Sequence, residues 1–512
     1  MLGKRLVVVS NRLPVAVVSD GQTKTLKPSS GGLVTALNPI LESEGGLWIG
    51  WPGMGEDEEI RPLAEQYNRD HTYKIHPIPL TEAQVDRFYL GFSNQTIWPL
   101  FHDFLGTTHF DVGQWEEYDK VNRIYAEHVA EEVSPGDFIW VHDYQLMRVA
   151  YHLRKLGVEQ PIAYFHHIPF PAPDLYRRLP WAQQIFNGMI QYDSIGFQTL
   201  RDRRNFVSLA RERLRKTNFR IQRRHTTFTI NNREVHVGNY PISIDFDEFD
   251  KGARSNAVKM EMEVIRQAYQ VDHLVLGLDR LDYTKGIPQR FLAFERLLEK
   301  FPDLQGKISL IQVVVPSRTQ VKTYSDLKEQ LDQLTGRING RFGRHGYVPI
   351  HYFFKHLNRS QLLALYRSCE IALITPLRDG MNLVAKEYAA ASGDHKNVLV
   401  LSMFTGSADQ LGKSAMLVNP YDLEGTANTL HRALHMDPRE RRRRMRALRS
   451  QIRRNDVHRW VKWVMGALTG VDARDIASEL EGKGEGSYEP DPELSPHVES
   501  TRRAREVPKK LL

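Results

Sequence analysis

The 512-residue chain has a single cysteine, Cys369, which excludes an intramolecular disulfide and any cysteine-rich metal site. A lone cysteine in an apolar setting reads as a small core residue rather than a nucleophile. Long hydrophobic runs are also missing: none approaches the roughly 18 residues that a membrane-spanning helix needs, and the early run LVVVS is too short for the apolar core of a signal peptide. The expectation is a cytoplasmic protein with no membrane partner. Nor is there a broad excess of charge. The formal net charge is +7, but residues 439–454, RERRRRMRALRSQIRR, hold nine arginines against one glutamate, so this segment carries +8 and the rest of the chain −1. One local basic segment reads as a solvated helix face. Zinc-finger spacing, a helix-turn-helix pattern and basic strands interleaved with aromatics are all absent, so no nucleic acid partner is expected.

What is present is a long alternation of apolar strands and amphipathic stretches. The runs RLVVVS, DFIWVH, IAYFHH and SIGFQT occur in the first half, and LVLGLD, ISLIQVVV, IALIT and NVLVLS in the second. Fully apolar strands alternating with helices predict α/β architecture with parallel sheets covered on both faces. Two such series predict two doubly wound, Rossmann-like domains facing each other across a cleft. The break falls at NYPISIDFDEF, residues 239–249, giving domains 1–243 and 244–454. Residues 201–238 read as a helix and a hairpin. Residues 455–471 have apolar spacing suited to a helix that packs back on the N-terminal domain, and 472–512 are charged and poor in large apolar groups, as in a disordered tail. No short internal repeat is found.

Chemistry concentrates at predicted strand ends. In GLDRLDYTKGIPQRF, Arg280 and Lys285 follow a strand and precede a helix over 287–299, a setting that suits a diphosphate. Either cation alone is an ordinary surface residue; their company is what counts. In TPLRDGMNLVAKEY, the loop Asp379-Gly380-Met381-Asn382-Leu383 offers backbone N–H groups to the same sheet edge. Glu387 follows inside the next helix, where a carboxylate suits the vicinal hydroxyls of a ribose.

Asp379 and Glu387, with seven residues between them, resemble the signature of retaining nucleotide-sugar glycosyltransferases of the GT-B fold. That spacing occurs here together with VVVSNRLP, SSGGLVTAL, GFSNQTIWPLFH, WVHDYQL, HHIPFP, LDRLDYTKG, PSR and GRINGRFG, in this order. Over roughly residues 5–470 the set resembles the trehalose-6-phosphate synthase family. The resemblance implies transfer of glucose from UDP-glucose, or another nucleoside diphosphate glucose, to glucose 6-phosphate with retention, giving α,α-trehalose 6-phosphate. It implies a donor site made of Gly32, Arg280, Lys285, Asp379, Gly380, Met381, Asn382, Leu383 and Glu387. Arg12, Tyr89, Trp98, Asp143 and Arg318 would bind the acceptor. His167, Asp143, Arg280, Lys285 and Asp379 would surround the reacting centre. Trp48 and Trp51 would wall the acceptor pocket, with the question of which touches sugar left open.

On this account there is no cofactor beyond the co-substrate and no metal, because two fixed cations take the part of a divalent ion. The Asp-x-Asp pattern DPD at 490–492 lies in the expected tail and is set aside. Retention would follow a front-face route, with the leaving diphosphate helping to take the acceptor proton. Three rivals stay open: a hydrolase using Asp379 and Glu387, a silent sugar-phosphate sensor, and a transferase with another acceptor such as glycerol 3-phosphate. Gln410, where the family often has an acidic residue, is the one noted departure. Donor base and assembly into a homo-oligomer are open as well.

Overall fold

The computed structural model describes residues 5–19, 24–28, 32–53, 60–215, 217–222, 225–318 and 321–469. The expected tail and its DPD therefore lie outside the described residues. Apolar runs become buried parallel strands, as fully hydrophobic segments covered on both faces must. Leu6–Arg12 buries every residue but the last, and Phe138–His142 and Ile371–Ile374 bury all of theirs.

The first sheet has nine strands in the order Lys74–Pro77, Leu47–Trp51, Leu6–Arg12, Phe138–His142, Ile162–Phe165, Ser194–Phe197, Arg233–Asn239, His225–Ile230 and Phe219–Ile221. The first seven run parallel and the last two add an antiparallel edge. Residues 201–238 supply the end of a helix, Leu200–Arg213, and this antiparallel ribbon. The second sheet has six parallel strands in the order Ile350–Phe354, Ile308–Val315, His273–Arg280, Ile371–Ile374, Val398–Ser402 and Met416–Val418. In each sheet the winding reverses once: between Leu6–Arg12 and Phe138–His142, and between His273–Arg280 and Ile371–Ile374. Ligands of open α/β sheets bind beyond the strand ends at such reversals. Arg12, Asp143, Arg280 and Asp379 stand at or just beyond those ends. This is the GT-B arrangement, two doubly wound sheets facing across a cleft. No helix among the described residues is long and apolar enough to cross a membrane.

The chain passes between the sheets along residues 240–245, and three alternate carbonyls of that crossing are held from elsewhere. Tyr240 O accepts from Trp460 Nε1 at 3.1 Å, Ile242 O from Lys386 Nζ at 2.6 Å, and Ile244 O from Val457 N at 3.0 Å. The helix Val457–Thr469 supplies the outer two bonds and lays Trp460, Val461 and Val464 into the core behind the first sheet. Lys386 is the unusual partner. It is buried, and burial alone pulls its pKa from 10.5 down to about 7. A lysine lowered this way is penalised in the folded state only while charged. Wild-type stability should therefore rise relative to Lys386→Met as pH goes from about 7 towards 10, by up to about 1.4 kcal/mol per pH unit. Denaturant titrations of both proteins across that range check this, and parallel pH curves would exclude it.

The basic segment differs from the expected solvated face. In the helix Pro438–Arg454, Met445, Leu448, Arg449 and Ile452 are buried. Arg449 donates to the carbonyls of Ala389 and Ala390 at the end of the helix Leu383–Ala391, and to Asp250 at 2.6 Å. Arg441 does the same for Ala433 and Leu434 at the end of Leu423–Leu434, at 2.9 and 2.6 Å. Cations suit helix C-termini, where carbonyls lack intrahelical partners. Part of the arginine run thus fixes neighbouring helices. Cys369 is buried, as expected of a core residue.

Candidate active site

The second half contributes a buried ion pair. After Arg280 the chain makes a turn capped by Asp282, whose side chain accepts from Thr284 N at 3.0 Å, and Lys285 ends that turn just before the helix Ile287–Lys300. Lys285 Nζ lies 2.7 Å from Asp379 Oδ2. Burial works to raise the Asp379 pKa, but the charge and hydrogen bond of Lys285 outweigh it and hold the carboxyl below its ordinary value. Asn382 donates to Asp379 Oδ2 at 3.2 Å and, at a φ of 71°, caps the helix Leu383–Ala391 by accepting from Ala385 N at 3.2 Å. Inside that helix Glu387 accepts from Tyr366 OH at 2.7 Å, and burial pushes its pKa up.

Glycine sets how closely this loop approaches the other half. A Cβ on Gly380 would stand 2.3 Å from His167 O, so a side chain there would force the halves apart. A Cβ on Gly32, at the start of the helix Gly32–Glu44, would meet Leu383 Cδ1 at 2.5 Å. Met381, 4% exposed, joins the core of the N-terminal half.

A cationic and aromatic cluster stands opposite. Arg12, at the exposed end of its strand, places its guanidinium 4.0 Å from the Trp51 ring centre and 5.9 Å from that of Tyr89. Arg318 reaches across from the second sheet with a left-handed φ of 49°, a conformation rare outside glycine. Its guanidinium lies 4.4 Å from the Trp98 ring centre, donates to Tyr324 OH at 2.7 Å and Tyr144 OH at 3.1 Å, and sits 3.7 Å from Asp282. Arg318 Nε and Trp98 Nε1 are buried without a hydrogen-bond partner among the described residues. Burial works to raise the Tyr89 pKa, but Arg318, Arg12 and Arg280 together hold the phenol below its ordinary value. Arg280 itself is exposed at its strand end.

Between the two groups lie Asp143 and His167. Asp143, at a φ of 75°, accepts from Tyr144 N at 2.9 Å and His167 N at 3.3 Å, and burial raises its pKa to about 6. His167 Nε2 is 3.1 Å from His142 Nδ1, and burial lowers its pKa to about 3, so the ring is neutral.

One expectation is corrected. Trp48 does not wall the pocket: it is fully buried and donates from Nε1 to Ser10 Oγ at 2.7 Å, whereas Trp51 lies under Arg12. Gln410 falls in the short helix Ala408–Leu411. Tyr144, Tyr324, Tyr366 and His142 were not anticipated. Tyr144 and His142 flank Asp143 in WVHDYQL, but nothing local marks Tyr324 or Tyr366.

Two doubly wound sheets in the GT-B arrangement, with a lysine–carboxylate pair facing an arginine and aromatic cluster, bring charged and aromatic groups to the strand ends where open α/β folds bind their ligands. Residues 4–469 match Glycosyltransferase family 20, and the chain belongs to that family and is a glycosyltransferase. It is 41% identical over 474 residues, 90% of this chain and 93% of the relative, to the trehalose-6-phosphate synthase of Mycolicibacterium gilvum. Among solved structures it is similar to an α,α-trehalose-phosphate synthase (UDP-forming) from Burkholderia xenovorans in complex with glucose 6-phosphate. That match has a TM-score of 0.82 at 34% identity and covers 91% of this chain and 100% of that one. A structure from E. coli bound with UDP-2-fluoro glucose matches with a TM-score of 0.81 at 36% identity, over 91% of this chain and 99% of that one.

Proposed function

We propose that the protein makes α,α-trehalose 6-phosphate by moving glucose from UDP-glucose to glucose 6-phosphate with retention and without a metal ion. The observation that carries this reading is the convergence of Arg12 and Arg318, from opposite sheets, on Tyr89 and Trp98, beside the Lys285–Asp379 pair. Planar guanidinium forks suit a phosphate monoester, and the orphaned Arg318 Nε and Trp98 Nε1 are donors such a ligand would satisfy. On the donor side Arg280 and Lys285 stabilise charge on the departing diphosphate, Glu387 binds the ribose, and Asp379 with the Gly380–Leu383 backbone and Gly32 holds the rest of the donor. His167 contacts the transferred sugar and Asp143 the acceptor hydroxyls. The two carboxylates that the hydrolase reading would use are both engaged: Asp379 is paired with Lys285, and Glu387 accepts from Tyr366 OH. The acceptor proton leaves towards the diphosphate on the same face.

Release of UDP from UDP-glucose, measured with chelator present and with or without glucose 6-phosphate, tests the proposal when the product linkage is read by NMR. Acceptor-dependent release with an α,α-1,1 phosphorylated disaccharide is expected. Free glucose without acceptor, or binding without turnover, would overturn it.

A pH profile follows from Asp143, which is the stronger acceptor for a hydroxyl when ionised and whose pKa burial raises to about 6. The acceptor's phosphate loses its second proton at about the same pH. The logarithm of kcat/KM for glucose 6-phosphate should therefore rise below pH 6 with a slope near two. In Asp143→Asn only the substrate titrates, so the slope should fall towards one. An unchanged slope would remove Asp143 from the acceptor site.

A further inference from the structure

We propose that His142 is a positioning residue that fixes the tautomer of His167, so that His167 meets its ligand as an N–H donor through Nδ1. His142 ends the strand Phe138–His142, is fully buried, and lies against Trp140 with ring centres 4.6 Å apart. Its Nδ1 is 3.1 Å from His167 Nε2, and its own Nε2 is buried with no partner among the described residues. His167 is only half-buried, and its backbone N–H is tied to Asp143 Oδ1. With Nε2 turned inward to His142, Nδ1 is the ring nitrogen left for a ligand.

Burial lowers the pKa of both rings, so each is neutral with one proton. Two arrangements satisfy the short contact. If His167 Nε2–H donated to His142 Nδ1, the proton of His142 would sit on Nε2, a buried N–H aimed at no acceptor. If His142 Nδ1–H donates instead, His142 Nε2 is a bare lone pair, and His167, accepting at Nε2, must carry its proton at Nδ1. Buried N–H groups without acceptors are rarer than under-used acceptors, which selects the second arrangement. The hydrogen bond made by one imidazole nitrogen sets what the other can do.

The consequence bears on the chemistry. A ring with Nδ1–H outward donates to a sugar oxygen and has no lone pair there to take a proton. His167 is then excluded as the base for the acceptor hydroxyl, which leaves that proton to the leaving diphosphate. The identity of the ligand oxygen rests on the function proposed above; the tautomer does not.

The test is nitrogen-15 NMR of the full chain labelled at histidine, without ligand, with the two rings assigned through His142→Asn and His167→Gln. Protonated Nδ1 and bare Nε2 in His167 are expected; the reverse would overturn the proposal whether or not the protein turns over UDP-glucose. The kinetic arm compares His142→Phe, which removes the donor, with His142→Asn, whose amide N–H replaces Nδ1–H. The first should lose about tenfold or more in kcat and the second should recover most of it. Equal loss in two folded variants would also overturn the proposal. If His142→Phe does not fold, the wild-type tautomer decides alone.

Discussion

Lys285→Ala is expected to lower kcat for transfer by about 10²- to 10³-fold, the cost of removing one preorganised charge-stabilising group, and to destabilise the fold as well. The two effects have separate origins. Lys285 and Asp379 are 11% and 12% exposed, so removing the lysine leaves a carboxylate in a nearly dry place, which costs about 3 kcal/mol. The double variant Lys285→Ala, Asp379→Asn removes both charges and should regain most of that stability. It should not regain activity, because the cation beside the leaving diphosphate is still gone. Recovery of turnover in the double variant would show that Lys285 acts only as the counter-ion of Asp379.

The same pair predicts a sign change with pH. In the wild type Lys285 holds the Asp379 pKa below 3.8, so the pair contributes stability that is present above that value and lost as pH falls through the folded-state pKa. Without the lysine, burial is the larger influence and raises the pKa. Asp379 then favours folding at low pH and opposes it as pH rises. Denaturant titrations of the single variant should therefore show stability falling as pH rises from about 4 to 7, a window in which the wild-type contribution of the pair is nearly flat.

Much of this site was legible because its parts lie at strand ends, and apolar strands are readable from composition. The alternation of IALIT with a polar loop and a helix placed Asp379 and Glu387 correctly in secondary structure. What composition does not contain is pairing order: that the winding reverses beside Arg12 and Arg280 follows only from which strands are neighbours. Tyr144 and Arg318 are 174 positions apart, and no local pattern predicts their hydrogen bond. Trp48 was legible and misread. It stands three positions from Trp51 in one strand, and side chains an odd number apart point to opposite faces, so both could not wall one pocket. The arginine run was misread likewise, because Arg441, Met445, Leu448 or Arg449, and Ile452 recur at helical spacing and mark an inward stripe.

Arg318→Ala is expected to abolish most of the preference for a phosphorylated acceptor. Arg318 is held by Tyr324, Tyr144 and the Trp98 ring rather than by a direct carboxylate bond, since Asp282 stands 3.7 Å away. Its charge is therefore available to a ligand. Truncating one side of a buried, hydrogen-bonded charge pair costs about 2 to 5 kcal/mol, which is about 30-fold to several thousandfold in kcat/KM for glucose 6-phosphate. Unphosphorylated glucose makes no such pair, so its slow turnover should change little. The ratio of the two kcat/KM values is thus the diagnostic quantity, and UDP affinity should stay within about threefold because the donor groups are untouched. Arg318→Lys restores charge without the planar fork and should fall between. Equal losses with both acceptors in a folded protein would mean that Arg318 holds Tyr144 and Tyr324 in place rather than a phosphate.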